Sequence, residues 1–261
     1  MQGYIKYCFT IIITVLWVDL SCADSTDSHS LFSYTGYLTT PSAYISDAQW
    51  NFSYSYFSNS FPINDHIASK NSEIWNFSSS LGLFPFMEIL FSVYVLPQDN
   101  ISKQIPNYGA NKWRTGGAKL RIITERKYTP TIALGMIDPD LKDIGASISA
   151  PNLSSSYVIL SKKMGFNNSA ISLGYGFDHF AHEKNRMKLN EVFGGFNLGI
   201  SDNYSLICDY DGRYWSVGST IQWKNIDLLF SYTEGNYVAS RIGYNFDLLR
   251  KNECEIKRYK Y

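Results

Sequence analysis

An antiparallel transmembrane β-barrel of about 12 strands is the fold class that this sequence predicts. Three observations carry the prediction. Apolar and polar residues alternate in one stretch after another, as strands with one dry face and one wet face require. The plainest case is 241–248, where Ile242, Tyr244, Phe246 and Leu248 share one face and Arg241, Gly243, Asn245 and Asp247 the other. Connections between the stretches sort by length, the long ones on one side only. Composition agrees: 20 Tyr, 16 Phe and 6 Trp against only 18% charged residues favour strands and membrane interfaces.

The elements follow in order. Lys6 precedes an apolar run from Cys8 to Val18, and Ser21-Cys22-Ala23 offers small residues to a signal peptidase. That run is too short to span a membrane and suits a signal peptide, so residues 1–23 are expected to be cleaved after Ala23. Lipidation at Cys22 is the alternative processing, but Asp19 stands where a lipobox normally has Leu. Residues 24–49 read as a periplasmic segment ahead of the barrel, 50–248 as the barrel itself and 249–261 as a periplasmic tail. No later stretch approaches the roughly 18 consecutive apolar residues of a membrane helix. The mean hydropathy of −0.17 is ordinary for a barrel, in which half of each strand faces water.

The first strand is 50–58, with Trp50, Phe52, Tyr54 and Tyr56 opposite Asn51, Ser53 and Ser55. Strands at 73–83, 87–96, 115–123, 131–136 and 156–162 come next. In 170–176, Ile171, Leu173 and Tyr175 oppose Ala170, Ser172, Gly174 and Gly176. The rest are 192–200, 204–211, 214–223, 226–233 and 237–248. None of the 8 prolines falls inside a proposed strand, as ladder hydrogen bonding requires. The connections 59–72, 97–114, 137–155 and 177–191 are long, whereas 84–86, 124–130, 163–169, 201–203 and 224–225, on the other side, are all short. Outer-membrane barrels show this asymmetry, with short periplasmic turns and longer outer loops. An even strand number leaves both termini in the periplasm, so the cell outer membrane is the expected location. The spacing within 241–248 also resembles the recognition signal in the last strand of bacterial outer-membrane barrels. An amphipathic strand of a soluble β-protein is the plainer alternative for that stretch alone.

With the apolar faces toward lipid, Glu88, Lys119, Arg121, Asp209, Asp211, Asp227, Arg241, Asn245 and Asp247 point into the lumen. Gly135, Gly174, Gly176, Gly218 and Gly243 share that side and are expected to leave narrow, uncrowded patches. Charges inside a barrel must pair or meet water. Two readings of the interior stand: a self-neutralising, salt-bridged lumen, or a polar conduit or ligand groove.

Other chemistry is sparse. His179, His182 and Glu183 lie in a predicted outer loop without the His-Glu-x-x-His order of metalloproteases. Lys184, Arg186 and Lys188 make the same loop locally basic, as a solvated surface is. No Gly-x-Ser-x-Gly elbow is present. Cys208 and Cys254 lack metal-site spacing, and a disulfide between them is allowed without being indicated. The sequons at Asn51 and Asn76 fall within predicted strands and are discounted. A net charge of zero without large basic clusters argues against nucleic acid. No catalytic activity, cofactor or metal is expected.

Thr35-Gly36-Tyr37-Leu38-Thr39-Thr40-Pro41-Ser42-Ala43 resembles the N-terminal motif of the YjbH family, outer-membrane proteins associated with exopolysaccharide production. Gly117-Ala118-Lys119-Leu120-Arg121-Ile122 is similar to that family's charged strand. Pro130, Ala133, Gly135 and Asp138 resemble its Pro-x-x-Ala-x-Gly-x-x-Asp segment. Ser161-Lys162-Lys163-Met164-Gly165 and Tyr210-Asp211-Gly212 resemble two later motifs. Longer family members continue well beyond such a segment, so the resemblance covers their first part. It implies a non-enzymatic outer-membrane barrel that assists exopolysaccharide export or surface-polysaccharide biogenesis. Outer-membrane lipid, polysaccharide and other export components are the implied partners. A small porin-like or structural barrel, and an outer-membrane lipid-modifying enzyme with a Ser–His pair across strands, are the other two readings.

Overall fold

Each alternating stretch of the sequence becomes one strand. The computed structural model describes residues 28–58, 73–95, 112–137, 155–177, 189, 191–234 and 237–248. The expected signal peptide with Cys22, the tail with Cys254, and the loop carrying His179, His182 and Glu183 lie outside these residues, as do most of the long connections. The strands are β1 (Gln49–Phe57), β2 (Ile74–Phe84), β3 (Met87–Val95), β4 (Lys112–Ile123), β5 (Thr131–Ile137) and β6 (Ser155–Lys163). They continue as β7 (Ala170–Phe177), β8 (Glu191–Ser201), β9 (Tyr204–Tyr210), β10 (Trp215–Trp223), β11 (Ile226–Thr233) and β12 (Tyr237–Asp247). Each pairs with its chain neighbours, and β12 pairs back to β1 to close a twelve-stranded antiparallel barrel. Closure removes the free edges that an open sheet would present.

Register follows from the alternation, because a slip of one residue would turn every apolar side chain inward. At the closing seam Trp50 lies opposite Phe246 and Tyr54 opposite Ile242. Along β7, Ile171, Leu173 and Tyr175 are exposed while Ala170 and Ser172 are buried. The same holds on β12, where Ile242, Tyr244 and Phe246 are exposed and Arg241 is buried. A water-soluble barrel would reverse this pattern. An apolar belt around a polar interior is the transmembrane arrangement. Trp50, Phe84 and Trp223 stand exposed toward the short-turn end, and Trp75, Trp215 and Tyr232 toward the other. These are the interfacial heights that aromatic rings prefer. At the short-turn end, Lys224 takes φ 55 in the two-residue link from β10 to β11, the left-handed geometry that matches hairpin twist.

Three sequence expectations change. β4 starts at Lys112, earlier than 115, because Val95 of β3 supplies a ladder partner for Lys112 despite its poor alternation. Asp211 and Tyr214 leave the strands. Asp211 Oδ1 accepts the backbone N–H groups of Arg213 and Tyr214, each at 2.9 Å, and so caps the β9–β10 turn. The largest change concerns 24–49, expected in the periplasm. Residues 29–46 of that stretch are all buried, inside the barrel.

Candidate functional site: a lumenal segment and its wall

Residues 28–48 lack the period-two alternation of a strand and are rich in Ser, Thr and Tyr. The segment joins no strand of the barrel sheet, so its backbone polar groups need other partners when buried. The barrel wall provides them. Asp209, on β9, accepts four hydrogen bonds on Oδ2. Two come from the N–H groups of Thr39 (2.7 Å) and Thr40 (2.9 Å), and two from their hydroxyls, both at 3.1 Å. On the β3–β4 side, Lys119 Nζ and Glu88 Oε2 pair at 2.7 Å. Glu88 Oε1 accepts the Thr35 N–H (2.9 Å) and hydroxyl (3.1 Å), while Lys119 donates to the Thr35 carbonyl at 3.0 Å. One ion pair thus holds both backbone groups of a single residue.

A third anchor uses only hydroxyls. Tyr37 Oη is 2.7 Å from Ser172 Oγ, Ser172 Oγ is 2.5 Å from Ser161 Oγ, and Ser161 Oγ accepts the Ala43 N–H at 2.7 Å. The motif 35–43 is therefore the part of the chain that docks on the wall. Its own fold is a tight reversal. Tyr37 donates to the Thr40 carbonyl at 2.9 Å, Ser42 to the Thr35 carbonyl at 3.0 Å, and Gly36 bridges Pro41. A side chain on Gly36 would strike the Thr40 carbonyl and the Pro41 backbone, which explains the glycine. The preceding turn, 31–34, carries the apolar residues. Leu31, Phe32 and Tyr34 join Phe57, Ile74, Tyr94, Tyr157 and Phe193 in one buried cluster, with the Phe32 and Phe57 rings 5.6 Å apart. Polar docking and apolar packing together fill the lumen.

The remaining inward charges fall into place around this segment. Asp227 and Arg241 form a buried ion pair between β11 and β12. Arg241 also donates to Asn51 at 2.8 Å, and Asn51 donates to Asn245 at 2.7 Å. Asn245 in turn donates to Asp227 at 3.1 Å. This network bridges the β1–β12 seam, and a Cβ at Gly243 would crowd the Arg241 guanidinium and the Asp227 carboxylate, so a larger residue there would have to displace the pair. Arg121 is half-buried on the lumenal side, close enough to Asp47 to favour its charged form, although burial raises the Asp47 pKa overall. Asp247 sits exposed at the rim, where it accepts a hydrogen bond from Gln49 at 2.9 Å. Of the sequence-predicted lumenal set, Glu88, Lys119, Asp209, Asp227 and Arg241 are deeply buried, while Arg121, Asp211 and Asp247 lie nearer the water.

The inward glycines correct a further expectation. They are not uncrowded patches. The Tyr157 ring lies over Gly135, the Phe193 ring over Gly174, and Leu38 presses toward Gly218. A strand position without a side chain leaves a notch, and aromatic rings from neighbouring strands fill it.

His29 was not singled out in the sequence. It is buried with Nε2 3.3 Å from Ser46 Oγ, which lies 3.1 Å from Thr35 Oγ1. Burial, reinforced by nearby Arg241, pushes its pKa down to about 4, so the ring is neutral at physiological pH. Burial likewise raises the Tyr34 phenol well above its ordinary range. This Ser–His contact is shut inside the docked segment and links Thr35 to the wall network. It is a structural hydrogen bond. The arrangement as a whole binds one tightly turned chain segment and satisfies the hydrogen-bonding groups of Asp209, Glu88 and Lys119 on the wall.

No curated protein matches the chain. Among solved structures it is similar to a de novo designed transmembrane β-barrel at 8% identity, covering 78% of this chain and 99% of that one, with a TM-score of 0.26. It is also similar to Wzi, an Escherichia coli outer-membrane protein involved in group 1 capsule assembly and a carbohydrate-binding β-barrel. There the identity is 10%, the coverage 74% of this chain and 56% of that one, and the TM-score 0.28. The chain thus spans little more than half of the Wzi length. A family model described as exopolysaccharide biosynthesis protein YbjH matches residues 28–193, from the first residue of the docked segment into β8. The chain belongs to the YjbH family.

Proposed function

We propose that this protein is a non-enzymatic outer-membrane barrel that assists exopolysaccharide export or surface-polysaccharide biogenesis. The family's description supplies the polysaccharide, and the apolar belt with aromatic residues at both ends supports a bilayer. With the short turns in the periplasm, the docked segment enters from that side. Outer-membrane lipid, polysaccharide and other export components are the partners that this reading implies.

The observation that favours it over a small general porin is the filled lumen. Residues 29–46 are buried and occupy it. Glu88, Lys119, Asp209, Asp227 and Arg241 are engaged with one another or with that segment. A barrel in this state does not offer small solutes a free aqueous path. Deletion of the protein is expected to deplete surface polysaccharide, read by staining of whole cells, and an unchanged coat would sink the reading. Purified wild-type protein in planar bilayers is expected to stay near zero conductance.

A further inference from the structure

We propose that residues 28–48 are a removable plug, and that the wall behind it takes a neutral, hydroxyl-rich saccharide chain in its place. The proposal rests on the polysaccharide role above and names the path.

The wall carries polar groups that the plug does not use. Asn76 Oδ1, Ser92 Oγ, Ser155 Oγ, Asn197 Oδ1 and Ser231 Oγ are buried without a hydrogen-bond partner, and each of these residues is at least nine-tenths buried. They run the height of the barrel. Asn197 lies opposite Ala170, the first residue of β7, and Ser155 is the first residue of β6 at the opposite end. An orphaned buried polar group costs about 1–3 kcal/mol, and an alanine or valine at the same position would cost nothing of the kind. If the plug were a permanent core, these positions would be apolar, as at Phe57, Ile74 and Phe193. A hydroxyl and amide wall is instead suited to a chain that presents many hydroxyls.

The plug packs apolar residues of its first turn against the wall, but its polar docking is of the exchangeable kind. Between 35 and 43 it is held on the wall by hydrogen bonds to Asp209, Glu88, Lys119, Ser161 and Ser172. Water or sugar hydroxyls replace such bonds at a small net cost each. The Tyr157 and Phe193 rings, 5.9 Å apart and edge to face, would offer apolar surface beside the hydroxyls, the mixture that a sugar ring presents in return. Charge selects the class of sugar. The two ion pairs are self-neutral, and Asp209, freed of Thr39 and Thr40, would repel an anionic chain.

A tether tests removal. Ser33 Oγ of the plug is 2.5 Å from Ser78 Oγ of β2, so cysteines at the two sites stand within disulfide reach. Ser33→Cys with Ser78→Cys, in a Cys208→Ser, Cys254→Ser background, is expected to abolish surface polysaccharide when oxidised and to restore it on reduction. Heat-modifiable migration shows in each case that the barrel has folded. In planar bilayers Asp209→Ala is expected to open the lumen and raise conductance at least tenfold over wild type. Maltoheptaose is then expected to block that current, and Ser92→Ala with Ser231→Ala to weaken the block about fivefold per site. Normal polysaccharide from the oxidised tether would overturn the proposal, as would an Asp209→Ala barrel that stays closed. An open barrel indifferent to maltoheptaose would overturn the saccharide path. All of these leave the polysaccharide role intact, since that role fails only if deletion of the whole chain leaves the coat unchanged.

Discussion

Asp209 shows how one residue can be visible in the sequence while its purpose is not. Its inward direction follows from the alternation of β9, but its register partners are Gly195 and Ser216, neither of which neutralises a carboxylate. A buried acid with no cation across the ladder was the available signal that something else must fill the lumen. His29 adds a pH dependence at this scale. Its pKa falls from 6.5 to about 4 on docking, so the undocked segment binds the proton more readily. Docking is therefore fully stable above pH 6.5 and weakens as pH falls through the window toward 4. The loss reaches about 3 kcal/mol at the lower limit. The charged groups around it are Arg241, Asp227, Glu88 and Lys119. Protease protection of residues 28–46 is expected to drop between pH 7 and 4.5, and His29→Phe to flatten that drop. Equal protection at both pH values would contradict it.

Among the elements, the strands were legible and the plug was not. Strands announce themselves because one face meets lipid and the other does not, so each pattern is local and repeated. The plug has no period. Its fold depends on wall groups far along the chain, Thr39 and Asp209 being separated by 170 residues. Only the motif 35–43 marked the segment, through family resemblance, and nothing in its composition said that it would enter the barrel. Gly36 is the tightest point of its turn. Gly36→Ala is expected to destabilise plug docking by about 1–3 kcal/mol through overlap with Thr40 and Pro41. Hydrogen exchange should show it as faster exchange at Tyr37 and Ser42 without change in β1–β12. Uniform protection would show that the turn tolerates the methyl group.

On the scale of the molecule, the closing seam concentrates the risk. Arg241→Met leaves Asp227 charged and buried without its cation, and is expected to cost about 3–5 kcal/mol in urea unfolding from bilayers. Adding Asp227→Leu should recover most of that loss, because the remaining Asn51 and Asn245 can still bond each other. If the double variant is no more stable than the single, the pair is not what holds Arg241 in place. On the outside, Leu173 is 59% exposed in the middle of β7. Leu173→Arg is expected to cost about 2–4 kcal/mol in lipid and to leave the fold intact in detergent. Equal stability in both would argue that this face never meets a hydrocarbon core.

The anchoring of Thr39 and Thr40 on Asp209 has a consequence for the order of assembly. The plug precedes β1 in the chain, yet its carboxylate belongs to β9. Until nine strands are in place, Thr39 and Thr40 lack the carboxylate that seats them. The plug's seating therefore reports that the sheet has grown nearly to full circumference, and a segment that precedes every strand in the chain becomes one of the last to find its position.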